Sequence, residues 1–183
     1  MDVTNLATGA VKLLRPQRFS DSRGYFMETW NRKTFADAGI DVEFVQDNQS
    51  LSKSVATVRG LHFQRPPRAQ AKLIRVLRGS IYDVAVDLRP TSPTFGQHAS
   101  AVLTAEEGEQ LFIPIGFAHG FCTLEPDTEV AYKVSDFYSR EHDTGILWND
   151  PSLRIEWPLG GQNPLLSKKD RQLPRLSEAE PGF

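Results

Sequence analysis

Short apolar runs separated by turn residues dominate the chain. Val11–Leu14, Tyr25–Trp30, Glu43–Gln46, Val55–Gln64 and Lys72–Leu77 are predicted as strands. Ile81–Leu88, Ala99–Thr104, Gln110–Pro114, His119–Leu124 and Glu129–Ser135 continue the series. Gly24, Gly79, Gly96, Gly108, Gly116 and the pair Pro126-Asp127 punctuate them. About ten short strands at near-regular spacing predict an all-β sandwich or barrel. One short helix is expected over Lys33–Ala38, ended by Gly39, and a second near Ser167–Arg171. Beyond Pro158 the composition turns to Gly, Pro and Asn, which predicts a wrapping tail with residues 177–183 frayed. The 183 residues read as a single domain.

Side-chain alternation singles out two polar residues. In Lys72-Leu-Ile-Arg-Val-Leu, Lys72 shares a face with Ile74 and Val76; in Glu129-Val-Ala-Tyr-Lys-Val-Ser, Tyr132 shares a face with Val130 and Val134. Each is either an edge residue that snorkels to solvent or a member of an inward-facing polar site.

Composition narrows the classes of function. Apolar residues make up 39% of the chain, enough for a core, and the net charge of −2 lacks the bulk electrostatics of a nucleic-acid binder. The lone Cys122 excludes a disulfide framework and a CxxC metal site. The longest apolar-looking stretch, Leu111–Phe121, is broken by Pro114, Gly116, His119 and Gly120, so no membrane span is expected. Met1–Val11 lacks the apolar run of a signal peptide, and a cytoplasmic chain is the expectation.

Four histidines are present: His62, His98, His119 and His142. The segment Gly108-Glu-Gln-Leu-Phe-Ile-Pro114-Ile-Gly116-Phe-Ala-His119 resembles the second motif of the cupins, G-x5-P-x-G-x2-H. Cupins are double-sheet jelly rolls. Their first motif supplies His-x-His and a Glu seven residues before a Gly. Here His62-Phe-Gln64 replaces the histidine pair, and Lys72 stands seven residues before Gly79. An ammonium beside a metal is repulsive, so the expectation is a cupin without metal or other cofactor, its cavity re-equipped. A neutral imidazole takes a proton, a lysine stabilises an oxyanion and a tyrosine returns a proton. That set suits proton abstraction next to a carbonyl.

A wider pattern resembles the TDP-4-keto-6-deoxyglucose 3,5-epimerases of TDP-rhamnose synthesis. It runs through Asp21-Ser-Arg-Gly-Tyr-Phe-Met-Glu-Thr-Trp, Phe44-Val-Gln-Asp-Asn-Gln-Ser, Arg59-Gly-Leu-His-Phe-Gln and Ala71-Lys-Leu-Ile-Arg-Val-Leu-Arg-Gly. It continues through Ile113-Pro-Ile-Gly-Phe-Ala-His-Gly-Phe, Tyr132-Lys-Val-Ser-Asp-Phe-Tyr, Asp143-Thr-Gly-Ile-Leu-Trp-Asn-Asp-Pro and Leu166-Ser-Lys-Lys-Asp.

The resemblance implies an isomerase with His62 as general base, Asp170 orienting it, Tyr132 as general acid and Lys72 holding the enolate oxygen. It implies that His119 contacts the sugar, that Arg23, Arg59 and Lys168 bind nucleotide or diphosphate, and that Glu28, Gln46, Asn48 and Asp143 bind substrate. Tyr138 is implied near the thymine. The family is dimeric, with N-terminal strands shared between subunits, so Arg23 and Glu28 serve either their own or the other subunit's site.

Alternatives stay open at this point: an epimerase acting at one carbon, a metal-dependent cupin enzyme and a silent nucleotide-sugar binding module. Gln49 and Glu141-His142 depart from the family pattern at binding positions. One tension remains. Strict alternation puts Arg59 and His62 on opposite faces, and a bulge at Gly60 would bring them together.

Overall fold

The computed structural model describes residues 1–183. Thirteen strands follow one another: β1 (Asp2–Asn5), β2 (Lys12–Arg15), β3 (Arg18–Asp21), β4 (Gly24–Met27), β5 (Gln46–Ser52), β6 (Val58–Gln64) and β7 (Lys72–Arg78). β8 (Ser80–Asp87), β9 (His98–Thr104), β10 (Gln110–Ile113), β11 (Phe117–Thr123), β12 (Thr128–Val134) and β13 (Asp143–Gly145) complete them. A six-stranded sheet has the order β1-β2-β10-β7-β12-β5, and a five-stranded sheet the order β13-β6-β11-β8-β9. β3 and β4 form a separate hairpin arm. The strand pairings are antiparallel, and the two large sheets face each other as in the expected jelly roll.

Three apolar layers explain why the sheets stack. Between them lie Leu13, Ile74, Val76 and Val130 from the first sheet, against Ile81, Ala85, Leu103, Phe117 and Phe121 from the second. Ile74 and Val76 point inward with Lys72, as alternation predicts. The outer face of the five-stranded sheet is also apolar, with Leu61, Phe63, Val84 and Val86 covered by the C-terminal segment. The outer face of the other sheet, through Leu14, Leu73 and Phe112, is covered by Phe35 and Ile40. Phe35 belongs to the helix α1 (Arg32–Asp37), which Asn31 caps by accepting from the Lys33 and Thr34 backbone N–H groups.

Several expectations change. The strand foreseen at Glu43–Gln46 starts instead at Gln46. β5 is an edge strand with alternating half-burial, and its polar run Gln46-Asp-Asn-Gln-Ser carries no apolar period to detect. β1, β3 and β13 are strands the pattern missed, each only three or four residues long. The second helix is a 3₁₀ turn at Asp170–Gln172. Within residues 177–183, expected as a frayed tail, two side chains meet the sheet. Ala179 and Phe183 pack onto the five-stranded sheet, with the Phe183 ring 5.7 Å from that of Phe63. The apolar outer face of that sheet needs a cover, and the tail supplies it.

Candidate active site

The bulge that alternation required is present. His119 pairs with His62 and Phe121 with Arg59, so β6 advances three residues while β11 advances two. Gly60 takes the irregular position at φ +124°, and its Cα sits where an added Cβ would lie 2.5 Å from the Gly120 Cα. Arg59 and His62 therefore reach the same cavity.

That cavity, about 290 Å³, is lined by Arg59, His62, Lys72, His119, Tyr132, Lys169 and Asp170 among others. A neighbouring cavity of about 250 Å³ shares His62, Lys72, Tyr132 and Lys169 and adds Gln46, Asn48, Tyr138 and Asp143. A further groove of about 370 Å³ runs past Trp30, Arg75, Gln110 and Lys133 and is bordered by Asn48 and Tyr132. It holds no histidine or proton-transfer pair, so the chemistry belongs to the first two.

His62 Nε2 lies 2.7 Å from Asp170 Oδ1. Asp170 is buried, and burial works to raise its pKa. The hydrogen bond and charge of His62, the Ser167 side chain and the Gly60 backbone outweigh burial and hold the carboxyl below its usual range. An ionised Asp170 accepts the Nε2 proton and leaves Nδ1 as the basic nitrogen.

Lys72 is 8% exposed and donates from Nζ to the His62 carbonyl oxygen at 3.2 Å. Burial pushes its pKa down to about 8, against the opposing pull of Asp143 and Asp83. Tyr132 stands on β12, and burial raises its phenol above the ordinary value despite Arg59. It therefore stays protonated at neutral pH, as a donor must.

A second imidazole–carboxylate pair lies beside the first. His119 Nε2 is 2.6 Å from Asp83 Oδ1, and both residues are buried. Burial lowers the His119 pKa, with Lys72 and His62 adding to the effect, although Asp83 opposes it. The arrangement suits a neutral His119 that donates to Asp83. The other Asp83 oxygen, Oδ2, is buried without a hydrogen-bond partner.

The second cavity is a polar chain. Gln46 Nε2 donates to Asn48 Oδ1 at 2.8 Å, and the Tyr138 hydroxyl donates to Asp143 Oδ2 at 3.2 Å. Lys169 Nζ completes it, 2.6 Å from Asp143 Oδ2.

Three residues implied by the resemblance do not line either cavity of this chain. Both Lys168 and Lys169 are exposed, but only Lys169 borders the two cavities. The turn into Asp170 decides which lysine borders them, and a Ser-Lys-Lys-Asp string does not reveal that. Arg23 pairs with Asp21 on the hairpin arm. Glu28 accepts from Asn31 Nδ2 and the Thr34 hydroxyl beside α1. Asp83 was missed outright, yet its signal was there. On β8 it alternates with the core residues Ile81 and Ala85, which places a carboxylate on a buried face.

The donor set does not fit a divalent metal. Lys72 carries its ammonium into one cupin ligand position. The Gln64 side chain at another is bonded to the backbone of Arg68, Phe137 and Ser139. No three His, Cys, Asp or Glu side chains converge as a metal would require.

Comparison with known proteins agrees with this geometry. The profile of the dTDP-4-dehydrorhamnose 3,5-epimerase family matches residues 5–178. The chain is 51% identical over 179 residues to the dTDP-4-dehydrorhamnose 3,5-epimerase of Sinorhizobium fredii, covering 98% of this chain and 91% of that one. The crystal structure of the Bacillus anthracis enzyme, with TDP and pyrophosphate bound, superposes with a TM-score of 0.92 at 52% identity, covering 95% of this chain and 98% of that one. The Legionella pneumophila enzyme, solved with dTDP-4-keto-L-rhamnose, gives a TM-score of 0.93 at 41% identity, covering 98% of this chain and 94% of that one. The chain belongs to the dTDP-4-dehydrorhamnose 3,5-epimerase family, carbohydrate epimerases built on a cupin-like fold.

Proposed function

We propose that the cavity converts dTDP-4-dehydro-6-deoxy-D-glucose to dTDP-4-dehydro-L-rhamnose by inverting carbons 5 and 3 in turn. The observation that carries this reading is one cavity holding the His62–Asp170 pair, Lys72 and Tyr132 together. The proton on carbon 5 is acidic because the carbon lies beside the carbon-4 ketone. His62 Nδ1 takes that proton, and the electron pair moves onto the ketone oxygen as an enolate. Lys72 stabilises the enolate by charge, with His119 close by. Tyr132 then gives its proton to the opposite face of carbon 5, which inverts the centre. Solvent then takes the proton from His62 and returns one to Tyr132, and the same steps follow at carbon 3. Two groups on opposite faces are required, because one group alone returns the proton to the side it left.

Arg59, Gln46, Asn48, Tyr138, Asp143 and Lys169 line the space left for nucleotide and diphosphate. Arg23 and Glu28 join them from a second copy of the chain in a homodimer. What supports this is their place on or beside an arm whose Phe19, Tyr25 and Phe26 are 54%, 57% and 69% exposed, away from the cavity of their own chain. The proposed setting is cytoplasmic. No helix is long and apolar enough to cross a membrane, and the single cysteine is buried and unpaired.

Incubation with dTDP-4-keto-6-deoxyglucose in deuterated water tests the reading. Deuterium at carbons 5 and 3 of an L-configured product is expected. Label at a single carbon identifies a one-centre epimerase, and absence of label rejects proton abstraction altogether.

A further inference from the structure

Beyond Val134 the chain leaves the sheet, and residues 135–139 have no regular structure. The backbone there still needs hydrogen-bond partners. Glutamine side chains supply them. Gln70 Nε2 donates to the Asp136 carbonyl at 2.7 Å. Gln64 Nε2 donates to the Phe137 carbonyl at 3.2 Å, and Gln64 Oε1 accepts from the Ser139 N–H at 2.7 Å. Gln46 Oε1 accepts from the Tyr138 N–H at 3.1 Å. Four consecutive residues are thus each held by a glutamine from another part of the chain.

Gln64 is the centre of this cradle. It is 3% exposed, and its Nε2 also donates to the Arg68 carbonyl at 2.6 Å. Both of its amide protons and its oxygen are used, which only an uncharged carboxamide of this reach achieves. The residue it brackets, Tyr138, is 60% exposed with its hydroxyl on Asp143. An exposed aromatic on an irregular segment is otherwise free to move, and ordering it on binding costs affinity.

We propose that Gln64, at a position where metal cupins carry a ligand, is a positioning residue for nucleotide recognition: it fixes Asp136–Ser139 so that Tyr138 stands ready for the pyrimidine base. This rests on the reading that Tyr138 receives the base. The cradle works on affinity for the nucleotide and takes no part in proton transfer.

The test is a double-mutant cycle read by calorimetric titration with TDP, alongside turnover at saturating nucleotide sugar. Gln64→Leu keeps the volume and removes all three bonds; Gln64→Glu keeps the shape and turns an anion toward two carbonyls. Each is expected to weaken TDP binding by about 5- to 100-fold while turnover stays near that of the unaltered chain. In a Tyr138→Ala background, Gln64→Leu should add no further loss, since its effect passes through Tyr138. Additive losses, or reduced turnover with TDP affinity unchanged, overturn the proposal. If Tyr138→Ala alone leaves TDP affinity unchanged, the base does not rest on Tyr138 and the underlying reading fails with it. Should Gln64→Leu not fold, Gln70→Leu, which frees only the Asp136 carbonyl, carries the same cycle with a smaller loss expected.

Discussion

His62 Nε2 and Asp170 Oδ1 meet at 2.7 Å, although 108 residues separate them in sequence. The base sits on a strand of the sandwich and its carboxylate on a turn of the C-terminal segment, where Ser167 Oγ accepts from the Asp170 N–H. Asn in place of Asp170 keeps the shape but removes the anionic acceptor that fixes the imidazole's tautomer and orientation. Turnover should fall by about 10²- to 10⁴-fold, the range for a general-base contribution, with TDP affinity little changed. Steady-state kinetics and TDP titration of Asp170→Asn check this; a variant that turns over normally leaves the carboxylate with only a structural role.

Lys72 predicts a pH dependence. Burial brings its pKa from an ordinary 10.5 to about 8. The charged form stabilises an enolate, so turnover should decline as the pH rises through about 8. Lys72→Met should lower turnover by about 10²- to 10³-fold and erase that decline. Stability moves the other way. Between about 8 and 10.5 the unfolded chain binds the extra proton, so the contribution of Lys72 to stability rises with pH across that window. A Lys72→Met enzyme that keeps both its rate and its alkaline decline contradicts the assignment.

Gly60 is the hinge of the site geometry. A Cβ there would stand 2.5 Å from Gly120 Cα and 2.7 Å from the His119 carbonyl oxygen, at a φ of +124° that L side chains avoid. Gly60→Ala should cost about 1–3 kcal/mol of stability by overpacking and disturb Arg59 and His62 together. Thermal melting and turnover measured on one preparation test this. Wild-type values of both show that the bulge does not set the site.

If Arg23 serves the partner's cavity, Arg23→Ala and His62→Ala should each be inactive alone and complement when mixed. Co-refolded at equal amounts, they should recover about a quarter of the active sites, as random assortment into two-fold dimers dictates. No recovery places Arg23 in its own subunit's site.

Alternation made much of this legible before any coordinates. Lys72 and Tyr132 stood out as polar residues on apolar faces, and both line the cavity. The conflict between Arg59 and His62 called for a bulge, and one is there. What stayed hidden depends on chain direction outside the strands. The 3₁₀ turn at Asp170–Gln172 selects Lys169 over Lys168, and no periodicity of three residues encodes that choice. The C-terminal cover is hard to see because Gly, Pro and Asn report local flexibility, whereas Phe183 and Ala179 respond to an apolar sheet face far away in sequence. Asp83 joins His119 only through the pairing of β8 along β11, a cross-strand neighbourhood that the local pattern around either residue does not encode.

The two-face assignment of His62 and Tyr132 is the centre of the account, and one experiment addresses it directly. Tyr132→Phe removes a hydroxyl and keeps the ring against the Val130–Val134 face of β12. In deuterated water His62 should still draw the proton from carbon 5, exchange it with solvent and return deuterium to the same face. The measurement is deuterium content and configuration at carbon 5 on one sample, by mass spectrometry and NMR. The account predicts label at carbon 5 with configuration retained and little epimerised product. Inversion at the wild-type rate, or loss of exchange and inversion together, contradicts it.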